Sequence, residues 1–323
     1  MIVREIVRRT ILILIIFLAV LTFQFFLFRA VIPDPTIIYI REGLGPEERE
    51  IIKKSFGLDK PLYEQYLLYI YNFLRGDMGY SFYYKMPVSS IIFERLLNTL
   101  VLFIPAVVTA FLISRYLGSY MAWRRGSLIE KSLITAFSML NSLPLFWVSL
   151  LAIMLFSINL KILPSGGMRT PPYQATGFLD KIMSLDFLWH WILPYAVLTL
   201  YTMINPTLLM RSSMITTLGE DFITVLRAVG LSERRIMREA SRVSIIPLVT
   251  QLGISTGFAF AGSVAFETVF SWPGIGREIV IAFNNLDYPL AQGIFAVMTL
   301  AIIVINTLID IAYVYLDPRT RRR

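Results

Sequence analysis

Cysteine is absent from the 323 residues, which excludes disulfides, thiolate metal sites and cysteine nucleophiles. Histidine occurs once, as His190, so the chain can build neither a His-pair zinc site nor a histidine relay. Charge is scarce as well, 16% of residues against about 25% in an average soluble domain. No G-x-x-x-x-G-K-[ST] loop is present to cradle phosphates, and H-E-x-x-H is excluded by the single histidine. An intramembrane enzyme would need a nucleophile–base pair or a metal set, and His190 alone supplies neither. The sequence predicts a chain that is not an enzyme and holds no metal or cofactor of its own.

What is abundant is apolar residue, 56% of the chain with mean hydropathy +0.66, concentrated in long runs. A spanning helix needs about 20 mostly apolar residues. Six stretches qualify, at 10–30, 100–122, 133–158, 187–210, 245–266 and 291–315. The first is preceded by basic residues, as a secretory signal is. Its apolar run is too long for one and no small-residue cleavage pattern follows, so it reads as a retained span. The formal charge of +8 follows the topology. With the N-terminus inside, the inner segments, counted with Arg115 toward the inner end of the second span, hold seventeen Lys and Arg residues, and the two short outer loops hold only Lys161, Arg169, Lys181 and Arg277. The excess of basic residues marks the cytoplasmic side, which places both termini inside and sets nucleic-acid binding aside.

The outer segment 33–98 is long, and two parts of it read as helices. "GPEEREIIKKSFGL" carries acidic residues at its start and lysines near its end, which favours the helix dipole. In "KPLYEQYLLYIYNFLRG", Leu62, Tyr66, Tyr69, Ile70 and Phe73 recur near helical spacing. They suit packing on the outer ends of the spans at the membrane–water boundary. Ionisable residues within the spans are few: Arg29 near an outer end, Glu267 at the outer end of the fifth span and Asp310 toward the inner end of the sixth. No carboxylate pair sits in mid-membrane at helical spacing, so an ion-coupled carrier has little support. His190, between Trp189 and Trp191 in "FLWHWILPY", reads as an interfacial anchor. In the fifth span Gly253, Gly257, Ala261 and Ala265 recur every four residues. That face of small residues lets another helix approach closely, either inside this subunit or from a partner beside a solute path.

Between the fourth and fifth spans lies "FITVLRAVGLSERRIMR". Phe222, Val225, Leu226 and Val229 make a stripe at i, i+3, i+4, i+7. Glu220 and Asp221 precede it, Gly230 stands where a left-handed residue ends a helix, and Ser232 offers a cap for a second helix. The segment predicts helix, glycine turn, helix. Its apolar side chains need either the headgroup region or a groove on another protein.

These residues resemble the cytoplasmic "EAA" loop of ABC importer permeases, most closely the dipeptide/oligopeptide branch. The resemblance runs along nearly the whole chain in order, through "FGLDKPLYEQYLLYI", "GDMGYSF", "LPLFWVSLLAIM", "LPSGG", "ILPYAVLTL", "RAVGLSERRIMREA", "ETVFSWPGIGREIV" and "DYPLAQG". It implies an all-α, six-span type I importer subunit with a large extracytoplasmic loop after the first helix. By the same resemblance residues 1–93 hold the first helix and that loop, 94–316 form the permease domain with the coupling loop at 212–243, and 317–323 are a basic tail. The family glycine maps to Gly230. The Glu-Ala-Ala positions fall on Thr224, Val225 and Leu226, so the acidic residue is missing. The implied contact with an ATPase runs over Asp221, Phe222, Val225, Leu226, Val229, Gly230, Leu231 and Ser232. The implied partners are a second permease, two ATPases that bind ATP and Mg, a solute-binding protein and membrane lipid in the cell membrane. Peptides are the implied cargo, with oligosaccharides or nickel as alternatives.

Overall fold

The computed structural model describes residues 2–31, 59–172 and 177–316, with side-chain surroundings for all of these except 2–10, 29–31, 250, 252–263 and 308–316. Helix dominates, and no named strand occurs among the described residues. This is what apolar chain in lipid requires, because a helix satisfies its own N–H and C=O groups. The proposed outer helix in 45–58 lies outside the described residues, as does the basic tail.

Among the described residues, four helices are long and apolar enough to cross a membrane. They are α1 (Ile2–Val31), α3 (Val88–Trp123), α7 (Leu185–Leu218) and α11 (Tyr288–Leu316). The stretch expected as one span at 133–158 is instead two pieces bent by 100°. Here α4 (Leu128–Asn141) stops, and α5 (Leu145–Ile153) continues into a π-helical stretch, Met154–Asn159. Pro144 causes the break, since it lacks an N–H and keeps Leu143 from the helical conformation. The expected fifth span lies within α9 (Glu233–Val269), helical throughout. Shorter helices are α2 (Leu62–Leu74), α6 (Phe178–Ile182), α8 (Asp221–Ala228) and α10 (Ile275–Asn284).

The chain divides into two compact units, Met1–Leu97 with Glu278–Ile303, and Asn98–Arg277 with Val304–Arg323. In the first, α2 lies against α1: Tyr66 meets Phe25 and Phe26, Tyr69 meets Phe25, and Phe73 meets Phe17 at ring separations of 5.4–6.0 Å. Later residues of α2 meet earlier residues of α1, so the two run antiparallel. The quoted motifs "GYSF" and "DYPLAQG" meet at Asp287. This fully buried carboxylate accepts hydrogen bonds from Ser81 Oγ, from the Tyr83 N–H (3.1 Å) and from the Leu290 N–H (3.3 Å) in the first turn of α11. A further buried pair, Arg95 Nε to Glu278 at 2.7 Å, ties α3 to α10.

In the second unit α7 and α9 pack along each other with α5 beside them. Gly118 of α3 sits against α7, where a Cβ would lie 2.7 Å from both Met210 Cβ and Thr207 O. Close approach through a small residue is how membrane helices gain contact without a hydrophobic driving force. One buried cluster gathers Phe187, Leu198, Phe266, Phe270 and Trp272, and another gathers Met210, Met214, Ile223, Ile236, Ala240 and Leu248.

Candidate coupling site

The segment after α7 forms the predicted hairpin. Asp221 stands in the first turn of α8 and Arg227 in its last, both favourable to the helix dipole. The helix ends in a paired closure. Gly230 N–H donates to Arg227 O (3.0 Å), and Leu231 N–H donates to Leu226 O (3.1 Å). That pattern needs a left-handed residue at the second position after the helix, and Gly230 supplies it with φ +81°. Nothing lies within 4 Å of where its Cβ would be, so backbone conformation alone asks for glycine here. Leu226 and Leu231 pack on the same buried cluster, as the closure normally has it. An exposed pair, Arg227 Nε to Glu233 at 3.1 Å, then links the two helices.

Ser232 occupies the cap position of α9 with extended backbone, but its hydroxyl makes no capping bond. Its carbonyl accepts from the Arg235 N–H (2.8 Å) and the Ile236 N–H (3.1 Å) instead. The expected apolar stripe divides. Phe222 and Leu226 are half-buried against the subunit's own cluster, whereas Val225 and Val229 are 60% and 66% exposed. The anchor is Ile223, fully buried among Met214, Ile236 and Ala240. Ile223 is missing from the expected stripe because an eight-residue helix with apolar residues on several sides does not say which side is the inner one. The hairpin is therefore held from within by Ile223, Phe222, Leu226 and Leu231. Outward it presents Thr224, Val225, Ala228 and Val229.

Beside it the α3–α4 turn is locked to α7. Buried Glu130 takes both Nε (2.6 Å) and Nη2 (2.5 Å) of Arg211, and accepts from the Gly126 N–H. Ser127 caps α4 by accepting from the Glu130 N–H. Arg211 is thus a structural tie.

At the opposite end of α9 a second knot forms. Glu267, fully buried, accepts from Thr99 Oγ1 (2.7 Å), the Arg277 N–H (2.9 Å) and the Gly276 N–H. Thr99 in turn accepts from the Ile275 N–H (2.9 Å), so the open N-terminus of α10 is satisfied by side chains. Trp272, fully buried, donates from Nε1 to Asn98 O (2.8 Å), and Asn98 Nδ2 donates to Pro273 O (2.8 Å). A Cβ on Gly274 would come within 2.4 Å of the Glu267 carboxylate. The "FSWPGIG" motif is the geometry of this knot.

Of the small-residue face, Ala265 is exposed, while the surroundings of Gly253, Gly257 and Ala261 lie outside the described residues. The letters of residues 253–257 match G-x-S-x-G, but they lie inside a continuous helix and not on the strand-to-helix turn that exposes such a serine. His190 is buried, its Nδ1 2.8 Å from Asp186 O, and Trp191 stacks on Tyr195. These are packing roles. The side chain of Asp310 lies outside the described residues.

The model of the family described as "Binding-protein-dependent transport system inner membrane component" matches residues 114–322, and a companion model for the N-terminal part of such membrane components matches residues 2–103. The chain is similar to the dipeptide transport system permease protein DppB of Escherichia coli, 33% identical over 320 residues and covering 94% of each chain. It is similar to the oligopeptide transport system permease protein AppB of Bacillus subtilis, 33% identical with 97% and 98% covered. The di/tripeptide transport system permease protein DppB of Pseudomonas aeruginosa is 36% identical, with 98% of each chain covered.

Proposed function

The chain belongs to the family of binding-protein-dependent transport system inner membrane components, and on that footing we propose that it passes short peptides across the cell membrane. It is the permease subunit of an ATP-driven importer, and the chemistry of ATP belongs to partner ATPases. Peptide cargo is inferred from relatives named for dipeptides, di/tripeptides and oligopeptides. In this reading six helices span the bilayer, with α4–α5 as a broken span and α9 as the fifth. Residues 94–316 form the permease domain, and both termini lie in the cytoplasm.

One observation carries the mechanism: a hairpin rooted in its own bundle by Ile223 that leaves Val225 and Val229 outward. Two exposed apolar side chains on a rigid support offer a plug for an apolar groove, the form that helix-in-groove docking takes. ATP closes the ATPase dimer, the seated helix moves, and the closure at Gly230 passes the motion into α9. A second homologous permease supplies the other wall of the path, and a binding protein delivers cargo from outside.

The test is a tagged chain purified from its native membrane. An ATPase bearing a phosphate-binding loop and a homologous permease are expected to copurify. Proteoliposomes of that complex, given loaded binding protein and ATP, are expected to accumulate a labelled dipeptide over maltotriose or Ni²⁺. Recovery of the chain alone, with uptake indifferent to ATP, would overturn the reading.

Orientation has its own measurement, because single cysteines can be placed in a chain that has none. Lys60→Cys, at an exposed site before α2, is expected to react with an impermeant thiol reagent from outside. Ser232→Cys, exposed in the hairpin, is expected to react only once the inner face is opened. The reverse pattern would invert the topology.

A further inference from the structure

A helix that faces lipid turns apolar side chains outward, and α3 does so: Ile104, Val108, Leu112 and Tyr116, four residues apart, are all exposed. Helix α4 differs. Thr135, Ser138 and Ser142 are exposed at spacings of three and four residues, which places them on one face. Exposed Met139 flanks that face on one side and exposed Asn141 on the other. Asn141 Oδ1 accepts from Nδ2 of Asn205 in α7, also exposed, at 3.3 Å. That bond leaves Asn141 Nδ2 and Asn205 Oδ1, a donor and an acceptor, without a partner among the described residues. The polar line then continues along α7 through exposed Ser212 and Thr216.

The two lines meet at the broken span, and the break lies inside the apolar layer. Trp191 and Arg211 of α7 are twenty residues apart, about 30 Å along a helix, which is the thickness of the hydrocarbon layer. Tyr201 stands midway between them, and its hydroxyl donates to Leu143 O at the break (3.1 Å). Asn205 is six residues from Arg211, about 9 Å. Helix α3 gives the same level independently. Ser114, nine residues before the end of α3 at Trp123, donates to Met203 O (3.1 Å) and accepts from Thr207 Oγ1 (3.1 Å), on either side of Asn205. At the break the Asn141 and Ser142 carbonyls accept no hydrogen bond among the described residues. Irregular backbone at membrane depth is tolerated where protein buries it or where it lines water. Asn141, Ser142 and Pro144 are exposed, so their own chain does not bury them.

Resting on the permease reading above, we propose that Thr135, Ser138, Asn141, Ser142 and Asn205 line the inner half of the solute path, and that the paired amides of Asn141 and Asn205 bind the peptide bond of the cargo. A second permease packed permanently on this face would have to match each polar group with one of its own, because every unmatched group costs free energy once dehydrated. A water-filled path leaves them solvated. A carboxamide offers the same N–H donors and carbonyl acceptor as a peptide bond. From Thr135 to Ser142 the chain carries no charge, so this face reads the backbone of a peptide and not the charge of its side chains.

The experiment uses the full complex with its ATPases and binding protein. Ser138→Cys and Ser142→Cys are expected to react with a charged, water-soluble thiol reagent admitted to the inner face, and a saturating dipeptide is expected to slow that reaction. Leu112→Cys, in the exposed apolar stripe of α3 and two residues from Ser114, is expected to stay unreactive at the same depth. Asn205→Leu is expected to lower maximal uptake up to about ten-fold, the size of one neutral hydrogen bond. The factor is expected to be the same for dipeptides with neutral, acidic and basic side chains. Asn205→Gln keeps the amide and is expected to recover part of the loss, while hydrolysis of ATP without cargo is unchanged in both. The proposal is overturned if the two cysteines react no faster than Leu112→Cys, as on a face covered by the second permease, or if Asn205→Leu transports like the parent. A loss confined to peptides of one side-chain charge would overturn the backbone contact. If the parent complex takes up no dipeptide, the cargo reading falls and the peptide contact with it, and the thiol rates still decide whether this face is wet.

Discussion

Val225→Asp combined with Val229→Asp is expected to release the ATPase from a subunit that remains folded. Both side chains are mostly exposed and have no part in the cluster that roots the hairpin. Surface changes away from packed features usually stay within about 0.5 kcal/mol, so the free subunit should tolerate them. In an apolar groove the same carboxylates lose their water without a partner. Each also forfeits the burial of a valine, up to about 1.5–3 kcal/mol. Two such losses multiply, and the expected result is an ATPase that no longer copurifies. Phe222→Asp would be a poorer probe, because Phe222 packs on the Ile223 cluster and its loss would loosen the hairpin itself.

Gly230→Val should separate docking from transmission. No neighbour blocks its side chain, so the cost is the left-handed backbone, about 1–2 kcal/mol. The complex should assemble, yet stimulation of hydrolysis by loaded binding protein should fall together with uptake. Copurification, ATP hydrolysis with and without binding protein, and uptake are measured on each variant. Assembly and transport at parental levels in both would mean that this hairpin is not the coupling element.

Trp272→Ala is expected to cost about 3–5 kcal/mol, the range for removing a large buried aromatic. The ring is fully buried with Phe187, Phe266 and Phe270, and its Nε1 donor satisfies Asn98 O. Glu267→Gln should cost about 1–3 kcal/mol by a different route. It keeps one acceptor for Thr99 but turns an amide donor toward the Arg277 and Gly276 N–H groups. Trp272→Phe should fall below both, since most of the packing survives. Thermal denaturation of the detergent-purified subunit orders the three, and limited proteolysis in 270–277 reports whether the loop has opened. Equal stability of Trp272→Ala and the parent would mean that the knot does not hold the loop.

Some of this was legible in the residues and some was not. The helix–glycine–helix hairpin was readable because its devices are local: a dipole-matched helix, a glycine at the closure and a following cap position. The roles of its apolar residues were not, since inward Ile223 and outward Val225 differ only in what α7 and α9 bring beside them. Leu143–Pro144 carried the signal for the broken span, but an unbroken hydropathy run concealed it. Glu267 was visible only as an isolated carboxylate. Its partners Gly276 and Arg277 follow the folded loop and Thr99 comes from α3, and no spacing in sequence announces them.

By itself, then, the sequence determined what depends on neighbours along the chain. Apolar runs made helices that lipid can accommodate, a glycine closed the hairpin helix, and the absence of cysteine excluded disulfides and thiolate sites. The tertiary structure alone decided which face of each helix is turned inward and which residues far apart meet: Asp287 with Ser81, Glu130 with Arg211, and Phe73 with Phe17 of α1. The physical reason is that helix formation is satisfied by hydrogen bonds four residues apart. Packing between apolar helices in lipid is chosen by shape and by a few buried polar partners, and those exist only once the helices have come together.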